Sequence, residues 1–145
     1  MGEQRLRWTG EGLQFLGHSG PGEPIRIGGD EDGPGAKPSD LLPLSLAACT
    51  AYDVVVILRK QRQDLRGLEV ITESEQDPDP PFAFRRISMR FLLRGTIDER
   101  KATRAIDLSH GKYCSVAATL EGTVAMEVSF EIVDDRSEGA DTDRG

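Results

Sequence analysis

Cys49 and Cys114 are the side chains of this chain best suited to redox chemistry, and 65 residues separate them. A thiol at its ordinary pKa of about 8.5 is only a few per cent thiolate at neutral pH, and the thiolate is the nucleophile. Attack on a peroxide O–O bond therefore requires a nearby cation or hydrogen-bond donors that favour the anion. The product is a sulfenic acid, with which a second thiol condenses to give a disulfide. Such a cycle needs one acidic cysteine and one able to reach it, and here only the fold can make them partners. The opposing reading is two small apolar core residues, because free cysteine is among the most buried residue types.

Asp53 follows Cys49 by four residues, one turn along the same helix face, inside an apolar run from Leu41 to Leu58. A carboxylate left alone there would be costly, so it is expected to meet an arginine, a hydroxyl or a second protomer. Unpaired, its charge would raise the Cys49 pKa. A structural ion pair or cap across a dimer and a catalytic role are both compatible with its position. His110, four residues before Cys114, could assist its deprotonation or satisfy carbonyls at a helix end. Trp8, Phe15, Tyr52 and Tyr113 read as core packing, or as the lining of an apolar pocket. Two cysteines and two histidines lack C-x₂-C and H-x₃₋₅-H spacing, so no metal is expected. The acidic loop DEDG does not match a calcium loop, and Gly28, Gly29, Gly33 and Gly35 do not have the spacing of a phosphate fingerprint.

The elements that must position these residues are legible from punctuation and periodicity. Gln4–Trp8, Leu13–Leu16 and Pro24–Gly28 are short apolar runs bounded by glycine or proline, which predicts a strand meander. The stretch from Gly28 to Asp40 reads as loop. The run from Leu41, ending in Arg59, Lys60 and Arg62, is too long for a strand and predicts a helix buried on most sides. Ser39 or Asp40 is the expected cap, and the terminal cations suit the negative end of the helix dipole. Leu68, Val70 and Thr72 alternate along one strand, and Ile87, Met89, Phe91 and Leu93 along the next. Ala102, Ala105, Ile106 and Ser109 share one face of an amphipathic helix from Asp98 to His110. A short helix over Cys114–Leu120 and a closing strand burying Val124, Met126, Val128, Phe130 and Ile132 complete the order βββ-α-ββ-α-(α)-β. Grouped rather than alternating elements favour α+β over a doubly wound sheet.

The 145 residues suit one domain, 1–133, followed by an acidic tail, 134–145, expected to be disordered. A net charge of −7 offers no basic stripe for nucleic acid. No segment reaches about 18 uninterrupted apolar residues, and the N-terminus lacks a secretory apolar core, so neither a membrane span nor export is expected. The expected location is the cytoplasm, where thiols are kept reduced and any pairing would be transient.

The stretch KPSDLLPLSLAACTAYDVVVILRK resembles the first signature of the OsmC/Ohr family, with Cys49 eleven residues after Pro38. KYCSVAATLEGTVAMEVSFEI resembles the second, with Cys114 ahead of a short helix and the closing strand. The resemblance implies an intertwined homodimer and a thiol peroxidase acting on organic hydroperoxides or hydrogen peroxide. It implies that Cys49 is the peroxidatic nucleophile and Cys114 the resolving thiol, with a dithiol reductant and no cofactor. Ohr-type members place a glutamate directly after the proline, where it helps hold an arginine over the thiolate. Here Ser39 takes that place and the acid follows at Asp40, rotated by about 100° on a helix. Arg26 is the candidate arginine. The wording around Cys49 is closer to the OsmC-like branch than to Ohr. The alternative function is a dimeric small-ligand-binding or redox-sensing protein of the same fold.

Overall fold

The computed structural model describes residues 2–28 and 35–133. The acidic tail and the DEDG loop of the sequence reading lie outside the described residues. The chain groups into two compact units, divided between Leu42 and Pro43.

In the first unit, β1 (Gln4–Trp8), β2 (Gln14–Ser19) and β3 (Ile25–Gly28) form an antiparallel meander in that order. The β1–β2 turn is closed by Thr9 N donating to Gln14 O at 3.0 Å and by the Trp8 indole donating to Gly12 O at 2.9 Å. Gly10 there takes a φ of 94°, a conformation that favours glycine. Registers of Trp8 with Phe15 and Phe15 with Ile27 put these residues on one face, with Leu6 and Ile25 opposite Gly17. Arg5, Arg7, His18 and Arg26 alternate to the other face. Leu6, Trp8 and Ile25 are each more than half exposed, so the apolar face is uncovered.

A 3-10 turn over Pro38–Asp40 runs directly into α1 (Leu41–Lys60). Ser39 and Asp40, the expected caps, therefore lie in a 3-10 turn, and α1 begins at Leu41 as expected. Pro38, with its fixed φ and no N–H to satisfy, opens that turn instead.

In the second unit α1 buries Leu46, Ala47, Thr50, Val54 and Leu58, a single stripe at three- and four-residue spacing. Leu44, Tyr52 and Val56 on the opposite side are exposed, so the helix is buried along one face and not on most sides. By length and composition Pro38–Lys60 would also suit a membrane-spanning helix, which corrects the expectation that no segment does. A fully buried stripe with a hydrogen-bonded carboxylate, Asp53, beside it is the pattern of a core helix.

The strands β4 (Asp64–Gln76) and β5 (Phe84–Thr96) form a long antiparallel hairpin with Leu68 opposite Leu93, Val70 opposite Phe91 and Thr72 opposite Met89. The chain then enters α2 (Glu99–Leu108), capped by the Asp98 carboxylate accepting from Lys101 N at 3.2 Å. A π-helical turn (Ser109–Tyr113), α3 (Ser115–Leu120) and β6 (Ala125–Val133) follow. β6 pairs with β5 in parallel, which a hairpin cannot achieve, so α2, the π-turn and α3 form the required crossover. Its register aligns Met126, Val128, Phe130 and Ile132 with Ile87, Met89, Phe91 and Leu93. The core of this unit is that β5 row together with Leu46, Val54 and Leu58 of α1 and Ala102, Ala105 and Ile106 of α2, all buried. The other sheet face carries exposed ion pairs, Arg86 with Glu127 at 2.6 Å and Arg90 with Glu131 at 3.8 Å. Exposed pairs of this kind add little stability, and this face is a solvated one. Two three-stranded sheets and a long central helix give the α+β class and the element order expected.

Candidate functional site: a paired thiol centre

The second unit brings Cys49 and Cys114 together. Cys49 lies on α1 beside the buried stripe and is half-buried, whereas Cys114 is 2% exposed. Cys114 reaches its place through the π-turn. Its N–H donates to Ser109 O at 2.7 Å, five residues back, and its backbone then turns extended at φ −77°, ψ 110°. There it takes the N-cap position of α3, and its sulfur accepts from Ala117 N at 3.3 Å. A sulfur thus performs the task usually given to Ser, Thr, Asp or Asn.

The two thiols are neighbours, and their environments push them in opposite directions. Burial is the largest influence on Cys49 and pushes its pKa up. It is outweighed by the bond from Cys114, the Val116 N–H, and the Ser115 hydroxyl and N–H, which leave Cys49 below the ordinary thiol value. Donors at the start of α3 thus supply one of the two expected means of favouring the thiolate, a cation being the other. For Cys114, burial and the hydrogen bond to Cys49 push upward and outweigh the Ala117 N–H and the Thr50 hydroxyl. The pair consists of a half-exposed thiol shifted toward the anion and a buried thiol shifted away from it. Chemically, the first can act as a nucleophile and the second stands where it can close a disulfide.

Asp53 finds a hydroxyl, one of its three expected partner types: Ser109 Oγ lies 2.9 Å from Asp53 Oδ2. The same Oγ lies 3.0 Å from Thr50 O, so one hydroxyl proton serves two acceptors. Thr50 Oγ1 in turn donates to Cys114 Sγ at 3.6 Å. Thr50 and Ser109 are fully buried polar residues that the sequence reading did not assign to the site. Ser109 carries a signal, because a serine that continues the apolar face of α2 and an aspartate in the apolar run of α1 each need a polar partner. Thr50 carried none.

Arg26 on β3 and Asp40 in the 3-10 turn are exposed and belong to the first unit. Trp8, Tyr52 and Tyr113 are more than half exposed, so core packing does not account for them. His110 does not satisfy helix-end carbonyls through Nδ1, which is buried without a hydrogen-bond partner. With Cys114, Ala117 and Met126 it lines a cavity of about 90 Å³ behind the buried thiol. Among the described residues no group of three or more His, Cys, Asp or Glu side chains could hold a metal ion.

Comparison with known proteins agrees with this architecture. The family model described as "OsmC-like protein" matches residues 28–129. Protein YhfA of Escherichia coli K12 is 38% identical over 132 residues, spanning 90% of this chain and 98% of that protein. The crystal structure of a hypothetical protein from Aquifex aeolicus superposes with a TM-score of 0.83 at 27% identity, covering 93% of this chain and 98% of the other. The organic hydroperoxide resistance protein OhrB of Bacillus subtilis shares the fold at a TM-score of 0.60 and 17% identity, covering 90% and 98% of the two chains.

Proposed function

The chain belongs to the OsmC-like protein family, and on that premise we propose that it is a thiol-dependent peroxidase that reduces organic hydroperoxides or hydrogen peroxide. One observation carries the reading: the fold sets Cys49 at the donors that open α3, where Cys114 caps the helix with Thr50 Oγ1 and Ala117 N on its sulfur, and the two thiols are shifted in opposite directions. Inert core cysteines have no need of such a split. The fold shared with an organic hydroperoxide resistance protein supports the choice of substrate class.

In the proposed cycle the Cys49 thiolate attacks the outer oxygen of the hydroperoxide. An S–O bond forms, the O–O bond breaks, the transferred oxygen keeps its hydrogen, and the alkoxide takes a proton from solvent to leave as the alcohol. Cys49 is then a sulfenic acid. The Cys114 sulfur attacks the Cys49 sulfur, the S–O bond breaks, and the departing oxygen takes the Cys114 proton to leave as water. A dithiol reductant reopens the Cys49–Cys114 disulfide by thiol–disulfide exchange. No other cofactor enters this cycle.

The test is catalytic turnover of cumene hydroperoxide with dithiothreitol as the reductant. The wild-type protein should consume peroxide well above the rate of an equal concentration of free cysteine, and Cys49→Ser should abolish the excess. Consumption no faster than free cysteine would contradict the assignment.

A further inference from the structure

The contacts around Cys114 form a closed ring through three residues. Thr50 Oγ1 donates to Cys114 Sγ at 3.6 Å, Cys114 N donates to Ser109 O at 2.7 Å, and Ser109 Oγ lies 3.0 Å from Thr50 O. Ser109 Oγ is braced on the far side by Asp53 Oδ2 at 2.9 Å. Thr50 is therefore tied to the Cys114 segment twice, directly through its hydroxyl and indirectly through its carbonyl. All three ring members are buried, with Thr50 and Ser109 fully inaccessible, so no solvent competes for these bonds.

A thiol has one proton to donate and a weakly accepting sulfur. With Thr50 Oγ1 and Ala117 N both donating to Cys114 Sγ, the accepting side of that sulfur is occupied from two directions. The S–H is then left for the side those two donors do not occupy, and Cys49 is the neighbouring thiol. We propose that the Thr50 hydroxyl is a positioning group for disulfide closure, holding the Cys114 sulfur so that its proton, and then its lone pair, is directed at the Cys49 sulfur. This rests on the peroxidase reading for its place in the cycle, but the Thr50–Cys114 contact can be measured without any peroxide. The same donor favours negative charge on Cys114, which helps as the sulfur gives up its proton to the departing water and again when a dithiol releases it from the disulfide.

The substitution that isolates the hydroxyl is Thr50→Val, which keeps the branched shape, and Thr50→Ser is the conservative control that restores the donor. After one equivalent of cumene hydroperoxide, dimedone traps the Cys49 sulfenic acid while disulfide closure is followed in parallel. In Thr50→Val, closure relative to Cys49 oxidation should slow by about tenfold, the size of one lost hydrogen bond. The dimedone-trapped fraction should rise to match, and Thr50→Ser should return both to wild-type values. Separately, in a Cys49→Ser background Cys114 is the sole thiol, and its thiolate absorbance near 240 nm gives its titration midpoint. Thr50→Val should move that midpoint upward and Thr50→Ser should not. An unmoved midpoint, or closure as fast in Thr50→Val as in the wild type, would overturn the role given to Thr50. A wild-type Cys49 that fails to oxidise would overturn the peroxidase reading while the titration still decides the Thr50 contact.

Discussion

For Cys49 the competition between burial and hydrogen-bond donation sets reactivity. Burial alone would make it a sluggish thiol, and the donors from Cys114, Val116 and Ser115 reverse the outcome. The consequence is a pH profile. Alkylation by iodoacetamide tracks the thiolate, so its rate rises with pH and levels off above the pKa. Because the Cys49 pKa is lowered and that of Cys114 raised, Cys49 should label with a midpoint below that of free cysteine and Cys114 only at higher pH. Mass mapping of the labelled peptides separates the two. A Cys49 midpoint at or above that of free cysteine would show that burial wins and would remove the nucleophile. Also at this scale, Ser109 gives the half-buried Asp53 carboxylate the hydrogen bond that such a group needs.

Among the elements, α1, the β4–β5 hairpin and α2 were legible because each has an uninterrupted pattern: a long apolar run, a clean alternation, a three-to-four spacing. Their ends were less so. Alternation marked only the apolar centres of β4 and β5, while the antiparallel ladder carries both strands to 13 residues. The start of α1 at Leu41 is legible, whereas the 3-10 turn ahead of it is not, because Ser39 and Asp40 read as caps while Pro38 just before them opens a turn of its own. The π-turn left no mark in SHGKY, since a widened turn has no periodicity of its own. It nevertheless sets the site, because the bond from Cys114 N to Ser109 O places the sulfur at the head of α3. The parallel pairing of β6 was likewise invisible in a strand whose alternation reads the same in either direction. The two cysteines were legible as candidates by residue type and by the spacing from Pro38 to Cys49, whereas the Thr50–Ser109 ring exists only in the tertiary structure.

On the scale of the whole molecule, exposed apolar side chains gather, among the described residues, at Leu44, Tyr52 and Val56 on α1 and at Leu6, Trp8 and Ile25 on the first sheet. Contiguous exposed apolar groups of this kind mark interaction sites. They support the proposal that a second copy of the chain covers them, as the family resemblance implies. Sedimentation equilibrium at micromolar concentration should give twice the chain mass, and Tyr52→Glu should shift the species toward monomer. A monomeric wild type would contradict the dimer. The thiol pair also belongs to this scale, because only the folded chain brings together two residues 65 apart. Adding one equivalent of cumene hydroperoxide to the reduced protein and mapping disulfides by mass spectrometry tests the central claim most directly. The account predicts rapid loss of both thiols and one intramolecular Cys49–Cys114 bridge, with Cys114→Ser arrested at the sulfenic acid. Both thiols persisting at the rate of free cysteine, or oxidation without that bridge, would contradict it.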